Sequence, residues 1–142
     1  METFISNVPG RIVVIRLGKG EKVLESIKIE IERLGIKNGV VLSGIGSMRK
    51  AGIHFISSIS DLPADQFLTI EDPIEMASLQ GLILDGQPHF HVVLSDLKRA
   101  YAGHLEPGCE VQYLAEITIM EVADMNLTRK PDEFGVSYIL EK

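Results

Sequence analysis

The sequence predicts an α+β domain: a mostly antiparallel sheet with one main helix and short flanking segments. Three observations carry this. Only one segment, Glu21 to Leu34, keeps a helical period. Seven or so short runs rich in β-branched and aromatic residues lie between turn residues. The 142 residues show no internal repeat and no low-complexity tract, so the length prior favours one domain over residues 1–142.

Arg11 to Leu17 reads as a strand apolar on both faces, and so central in its sheet. Gly18-Lys19-Gly20 then opens the helix, whose apolar stripe is Val23, Leu24, Ile27, Ile31 and Leu34. Gly35 stands where a left-handed C-cap belongs. Gly39 to Ser43, Ala51 to Ser57 and Gln66 to Ile70 are short strands, with a loose loop from Ser57 to Pro63. Ile74 to Leu84, His89 to Ser95, Ala100 to Leu105 and Glu110 to Val122 complete the strands. From about residue 124 the chain reads as a polar tail, Asp124 to Gly135, with a short apolar end, Val136 to Leu140.

With 45% hydrophobic and 24% charged residues, the composition is that of a globular protein, not a disordered chain. Twenty acidic against fourteen basic residues give a net charge of −6. Duplex-DNA binders draw most of their affinity from neutralising phosphates, so any DNA binding is expected to be weak. Cys109 is the only cysteine, which excludes an intrachain disulfide and a multi-cysteine metal site. The N-terminus has no basic and apolar signal pattern, and no apolar run is long enough for a membrane span. A cytoplasmic protein with no membrane partner is the expectation.

Two glycine motifs fail as nucleotide sites. Gly44-Ile45-Gly46 lacks the third glycine of a dinucleotide fingerprint, Arg49 standing in its place. Gly18-Lys19-Gly20-Glu21-Lys22 lacks the spacing of a phosphate loop. Both read better as turns requiring positive φ.

The informative segment runs from Pro88 to Leu105. Two strands flank Asp96-Leu97-Lys98-Arg99, which suits a four-residue hairpin loop. Pairing Ser95 with Ala100 puts His91 opposite His104, and His89 opposite Glu106. His89 and His91 share a face because strand side chains alternate. Three imidazoles then converge on a point where one divalent ion, zinc by chemistry, could sit with an open fourth position. Nickel, cobalt or iron would also suit these donors. Phe90, Val92, Leu94, Tyr101 and Leu105 form the opposite, core face, while Val93, Ala100 and Ala102 leave room beside the histidines. The alternative is a surface His-x-His pair without metal. His54, on a separate strand, reads as structural.

Glu106 and Glu116 are candidate acid/base or ligand-orienting groups, with solvent-facing strand glutamates as the alternative. Arg16, in an apolar strand, could hold a small anionic ligand or pair with a carboxylate such as Glu75. Cys109 reads as a packed thiol. The basic pairs Arg49-Lys50, Lys98-Arg99 and Arg129-Lys130 read as solvated.

Taken together, Arg16, Gly44-Ile45-Gly46-Ser47, Glu75-Met76-Ala77-Ser78-Leu79-Gln80-Gly81, His89-Phe90-His91, Gly103-His104-Leu105 and Glu116 resemble the plants-and-prokaryotes-conserved (PPC) domain. One departure is Ala102, where prokaryotic relatives have a second glycine. The resemblance implies a compact antiparallel sheet with flanking helices, a homotrimer, and a regulatory, DNA-associated role. It also makes Glu116 a family-motif candidate. The Arg-Gly-Arg-Pro hook of the plant proteins is absent from this sequence. Fold and ligand spacing are also similar to acetolactate decarboxylase, which suggests the alternative of a zinc-dependent lyase or hydrolase acting on a small carboxylate-bearing molecule.

Overall fold

The structure, a computed structural model, describes residues 1–142, the side chain of Pro9 apart. In chain order the elements are β1 (Pro9–Gly18), α1 (Val23–Leu34), β2 (Gly39–Ile56), β3 (Asp65–Ile70), β4 (Ile74–Leu84), β5 (Gln87–Ser95), β6 (Ala100–Leu105), β7 (Glu110–Val122), β8 (Leu127–Pro131) and β9 (Ser137–Glu141). Seven strands form one sheet, ordered β1-β7-β2-β4-β5-β6 with β3 added on β2, and every pairing is antiparallel. The single helix and mostly antiparallel sheet are as the sequence predicts.

α1 begins two residues after the expected Glu21, because Lys22 still bridges Glu110 in extended geometry. Val23, Leu24, Ile27 and Ile31 are buried along its inner stripe, and Gly35 closes it at φ 68°. The core they join is drawn from β1 to β7, with Ile15, Met48, Met76, Leu79, Phe90, Leu94, Leu105 and Ile117 among its members.

Three expectations are corrected. First, the two runs Gly39 to Ser43 and Ala51 to Ser57 are halves of one strand of 18 residues. Gly44 and Gly46 lie inside it, not in a turn, and neither has positive φ. Their role is close approach. A Cβ on Gly44 would meet Leu79 Cβ at 2.5 Å, and one on Gly46 would meet the Leu114 carbonyl oxygen at 2.6 Å. By contrast, Gly20 in the other glycine motif does stand in a turn, at φ 86°.

Second, β1 is an edge strand that pairs only with β7. Its inner residues Ile15 and Leu17 are buried, but Ile12 and Val14 remain 64% and 69% exposed. The apolar outer face that suggested a central strand has nothing covering it within one chain. Third, the expected polar tail folds as the β8–β9 hairpin, a separate two-stranded sheet that packs on β4 and buries Leu127.

The bends in β2 matter for the site. Register shifts between Val41 and Ser43, Gly46 and Met48, and Met48 and Lys50 turn the strand, as bulges do. Its first half pairs with β7 and β4, while its second half reaches β3 and β6. Because β4 pairs with β5 and β5 with β6, strands β2-β4-β5-β6 close on themselves. No helix is long and apolar enough to cross a membrane.

Candidate metal centre

The β5–β6 hairpin has the register that the sequence predicts. Ser95 pairs with Ala100, Val93 with Ala102, and His91 with His104. Asp96 organises the loop: its Oδ1 accepts from the N–H groups of Lys98 and Arg99 at 2.6 and 2.8 Å, and its Oδ2 from the Tyr101 hydroxyl at 2.8 Å. Phe90, Val92, Leu94 and Leu105 are buried on the core face. The histidines stand on the other face.

His89, His91 and His104 form a triangle, with ring centroids 5.4 Å (His89–His91), 4.8 Å (His89–His104) and 5.6 Å (His91–His104) apart. Imidazoles bound tetrahedrally through Nε2 at about 2.0–2.1 Å from a zinc place their ring centres roughly 5 Å apart. The three ring centres are spaced comparably. Burial, with Arg129 and the neighbouring imidazoles adding to it, pushes the His89 pKa down to about 4. Burial also lowers that of His104. Both rings are neutral near pH 7, the protonation state a metal requires.

The pairing departs from expectation beyond His104. Leu105 pairs with Ile53 of β2, and the Glu106 N–H donates to the Gly52 carbonyl at 3.0 Å. Glu106 therefore follows β2 and does not face His89, whose register partner is Leu82. Its carboxylate still reaches the cluster. Oε1 accepts from Nδ1–H of His104 at 3.1 Å and from Nδ1–H of His54 at 2.6 Å. A carboxylate on Nδ1 leaves Nε2 as the lone-pair nitrogen of each ring, the usual way a metal-binding histidine is oriented.

His54 is the residue that sequence reasoning missed. It pairs with His104, its ring stacks on that of His104 at 4.5 Å, and Phe67 flanks it at 5.2 Å. Gly103 permits this: a Cβ there would meet the His54 carbonyl oxygen at 2.6 Å. His54, His104 and Glu106 bring ligand atoms within 4.8 Å of one another and so form a group able to hold a metal, a group that does not include His89 or His91. No local signal marks His54, because β3 and β4 intervene between it and the hairpin.

Arg129, expected to be solvated, is also drawn in. Leu127 and Arg129 lie two residues apart on β8 and share a face, and Leu127 is buried. The Arg129 Nε is buried without a hydrogen-bond partner, and burial lowers the guanidinium pKa. Arg129 is the charged group acting most strongly on His89.

Arg16 and Glu116 are not brought to the histidines. They pair with each other across β1 and β7 on the exposed side of the sheet, and Glu75 pairs instead with Ser47 and Ser95. Ile45, the β2 partner of Glu116, lies on the order of 25–30 Å along the strand from His54, at about 3.3 Å per residue. Cys109 is a buried thiol, its Sγ donating to the Glu106 and Gly52 carbonyls at 3.2 and 3.4 Å. Burial raises its pKa, as suits a packed thiol.

Comparisons with known proteins agree with this architecture. The model of the Plants and Prokaryotes Conserved (PCC) domain matches residues 5–123. The crystal structure of a plant- and prokaryote-conserved protein from Pyrococcus horikoshii superposes with a TM-score of 0.84 at 28% identity, covering 100% of this chain and 99% of that one. A metal-containing protein from Archaeoglobus fulgidus gives 0.83 at 27% identity, covering 99% and 100%. A candidate DNA-binding protein from Ralstonia eutropha shares the fold, with a TM-score of 0.72 at 23% identity, covering 91% and 90%. Among curated relatives, the bifunctional protein GlmU of a Synechococcus strain is 29% identical over 127 residues. Those residues are 86% of this chain but span only 18% of the relative's length.

Proposed function

From the premise that the chain belongs to the Plants and Prokaryotes Conserved domain family, we propose that it is a homotrimeric divalent-metal protein. Its ion, zinc by donor chemistry, is held by Nε2 of His89, His91 and His104. The observation that carries this reading is the triangle of ring centroids, 4.8 to 5.6 Å on a side. Glu106 is better suited to orient ligands than to be one, since its Oε1 already accepts from two imidazoles. His54 flanks the centre through that shared carboxylate. The metal-containing relative of the same fold from Archaeoglobus fulgidus supports a metal in this chain.

The site supports chemistry on a small carboxylate-bearing molecule, of lyase or hydrolase type. A bound ion would supply Lewis acidity and a water whose pKa falls to about 7. The chain's own contributions are the three neutral donors, the orientation imposed by Glu106, and the positive charge of Arg129. Glu106 is the acid/base candidate near the histidines; Glu116 and Arg16 lie away from them within one chain.

A DNA-associated regulatory role is the second reading, favoured by the candidate DNA-binding relative of the same fold. The net charge of −6 opposes it. Metal analysis of protein purified without an affinity metal tests the first reading. One zinc-like ion per chain, lost in His104→Ala, supports it; an unchanged ion content in that variant overturns the assignment. Sequence-selective nanomolar DNA binding with a steep salt slope would make the second reading the better one.

A further inference from the structure

Glu106 touches two of the imidazoles, yet it stands outside any strand: β6 ends at Leu105 and β7 begins at Glu110. No regular ladder holds its carboxylate in place, and a glutamate side chain carries much rotamer freedom. Even so, one oxygen, Oε1, meets Nδ1 of His54 at 2.6 Å and Nδ1 of His104 at 3.1 Å. An oxygen shared by two N–H donors tolerates little displacement, because hydrogen bonds weaken steeply outside their range of distance and angle. The Glu106 backbone must therefore be held firmly from elsewhere.

Two residues outside the histidine cluster hold it. The Cys109 Sγ accepts from the Gly52 N–H at 3.2 Å and donates to the Glu106 carbonyl at 3.2 Å. Gly52 in turn takes the Glu106 N–H on its own carbonyl at 3.0 Å. The thiol, 0% exposed, thus closes a ring of contacts over both backbone groups of Glu106. Gly52 fits flat against that residue, since a Cβ there would lie 3.3 Å from Glu106 Cβ. An apolar side chain at 109 would fill the same space but leave the Gly52 N–H without its partner.

The second residue is Glu25, in the first turn of α1. Its Oε1 accepts from the Gly108 N–H at 2.9 Å and so braces the Pro107–Gly108 turn that follows Glu106. The Val23 N–H also donates to the Cys109 carbonyl at 2.9 Å, so α1 grips this segment twice. Glu25 Oε2 is buried without a hydrogen-bond partner. Desolvating a carboxylate oxygen in this way costs stability, which marks the Gly108 contact as more than a surface tether.

We propose that Cys109 and Glu25 are positioning residues for the histidine centre. Together they fix the Glu106–Pro107–Gly108 turn so that one carboxylate oxygen reaches both His54 and His104. Both rings are thereby locked with Nδ1 protonated and Nε2 free. Neither Cys109 nor Glu25 hydrogen-bonds a histidine among the described residues, so both act through Glu106. The effect on a bound ion rests on the metal reading; the locking of the two rings does not.

The test uses the full chain with ¹⁵N-labelled imidazoles, stripped of metal by a chelator and held in alkaline buffer. In the parent, His54 and His104 should both show Nδ1 protonated and Nε2 bare. Cys109→Ala and Glu25→Ala should each give mixed tautomers at both rings. Cys109→Ser and Glu25→Gln keep the needed hydrogen-bonding atoms and should restore the parent pattern. Zinc affinity should fall roughly three- to tenfold in each alanine variant, less than the about 10–100-fold of losing the orienting carboxylate itself. In a Glu106→Ala background the same changes should cost nothing further, because groups acting through one residue are not additive.

Tautomers that stay pure in both alanine variants overturn the proposal. So does a loss of zinc affinity as large with Glu106→Ala as without it. Failure of both conservative variants to restore the pattern would reduce the two residues to packing and also overturns it. A parent without the Nδ1–H pattern overturns it with no variant needed. A parent with that pattern but no zinc binding counts against the metal reading and leaves the positioning supported.

Discussion

His91 lies directly opposite His104 across the β5–β6 ladder, with their ring centroids 5.6 Å apart and the rings at 81° to each other. Neither ring can be moved to another partner without slipping the hairpin, and a one-residue slip would turn His91 into the core. The hairpin register therefore positions two of the three proposed donors at once.

Removing one donor should then remove most of the affinity. His91→Ala and His104→Ala are each expected to lower zinc affinity at least tenfold, measured by competition with a chromogenic chelator. His54→Ala should have a smaller effect. If His54→Ala instead abolishes binding while His91→Ala does not, the donor set is His54, His104 and Glu106.

Glu106→Gln should keep the fold and lower metal affinity roughly 10–100-fold, the usual effect of losing the carboxylate that orients a ligating histidine. Glu116→Gln, on the far part of β7, should leave affinity unchanged. Equal losses in the two variants would show that Glu106 has no special link to the ion.

Acid should weaken the metal-free fold. The His89 pKa is about 4 in the folded chain, against about 6.5 for an unfolded histidine. Between these values the unfolded chain binds more protons, so stability falls as pH drops from about 6.5 to about 4. The shift of His104 has the same sign. Urea midpoints across this range should decline, and His89→Leu should flatten the slope. A midpoint that rises on acidification would contradict the burial argument.

The exposed Ile12 and Val14 on β1 suit an interface between copies. Light scattering should give the mass of three chains, and Val14→Glu should shift it toward one chain. A wild-type monomer at micromolar concentration would remove the trimer from the proposal.

Gly103→Ala should cost about 1–3 kcal/mol, the range for overpacking a tight contact, because its Cβ would lie 2.6 Å from the His54 carbonyl oxygen. Chemical denaturation measures this. The same variant should separate β2 from β6 and weaken any metal bound by way of His54. Unchanged stability would mean that β2 shifts away freely.

Much of this protein is legible from local pattern. The span of α1 to within two residues, strands β4, β6 and β7, and the hairpin register follow from alternation, helical period and turn residues, which act over a few positions. The grouping of His89, His91 and His104 follows from the same register, since all three belong to one hairpin.

What only the tertiary structure decided are the relationships made by closure of the chain over long separations. Bulges bend β2 so that it runs unbroken through Gly44 and Gly46 and brings His54 against a histidine fifty residues away. Glu106 leaves the hairpin for β2, and the β8–β9 hairpin folds back onto β4. The edge position of β1 belongs here too, because a strand's apolar faces tell what it could bury against but not which neighbours reach it. Periodicity specifies the face a side chain takes; which faces meet depends on how bent strands pack around one shared core, and no short window of sequence contains that.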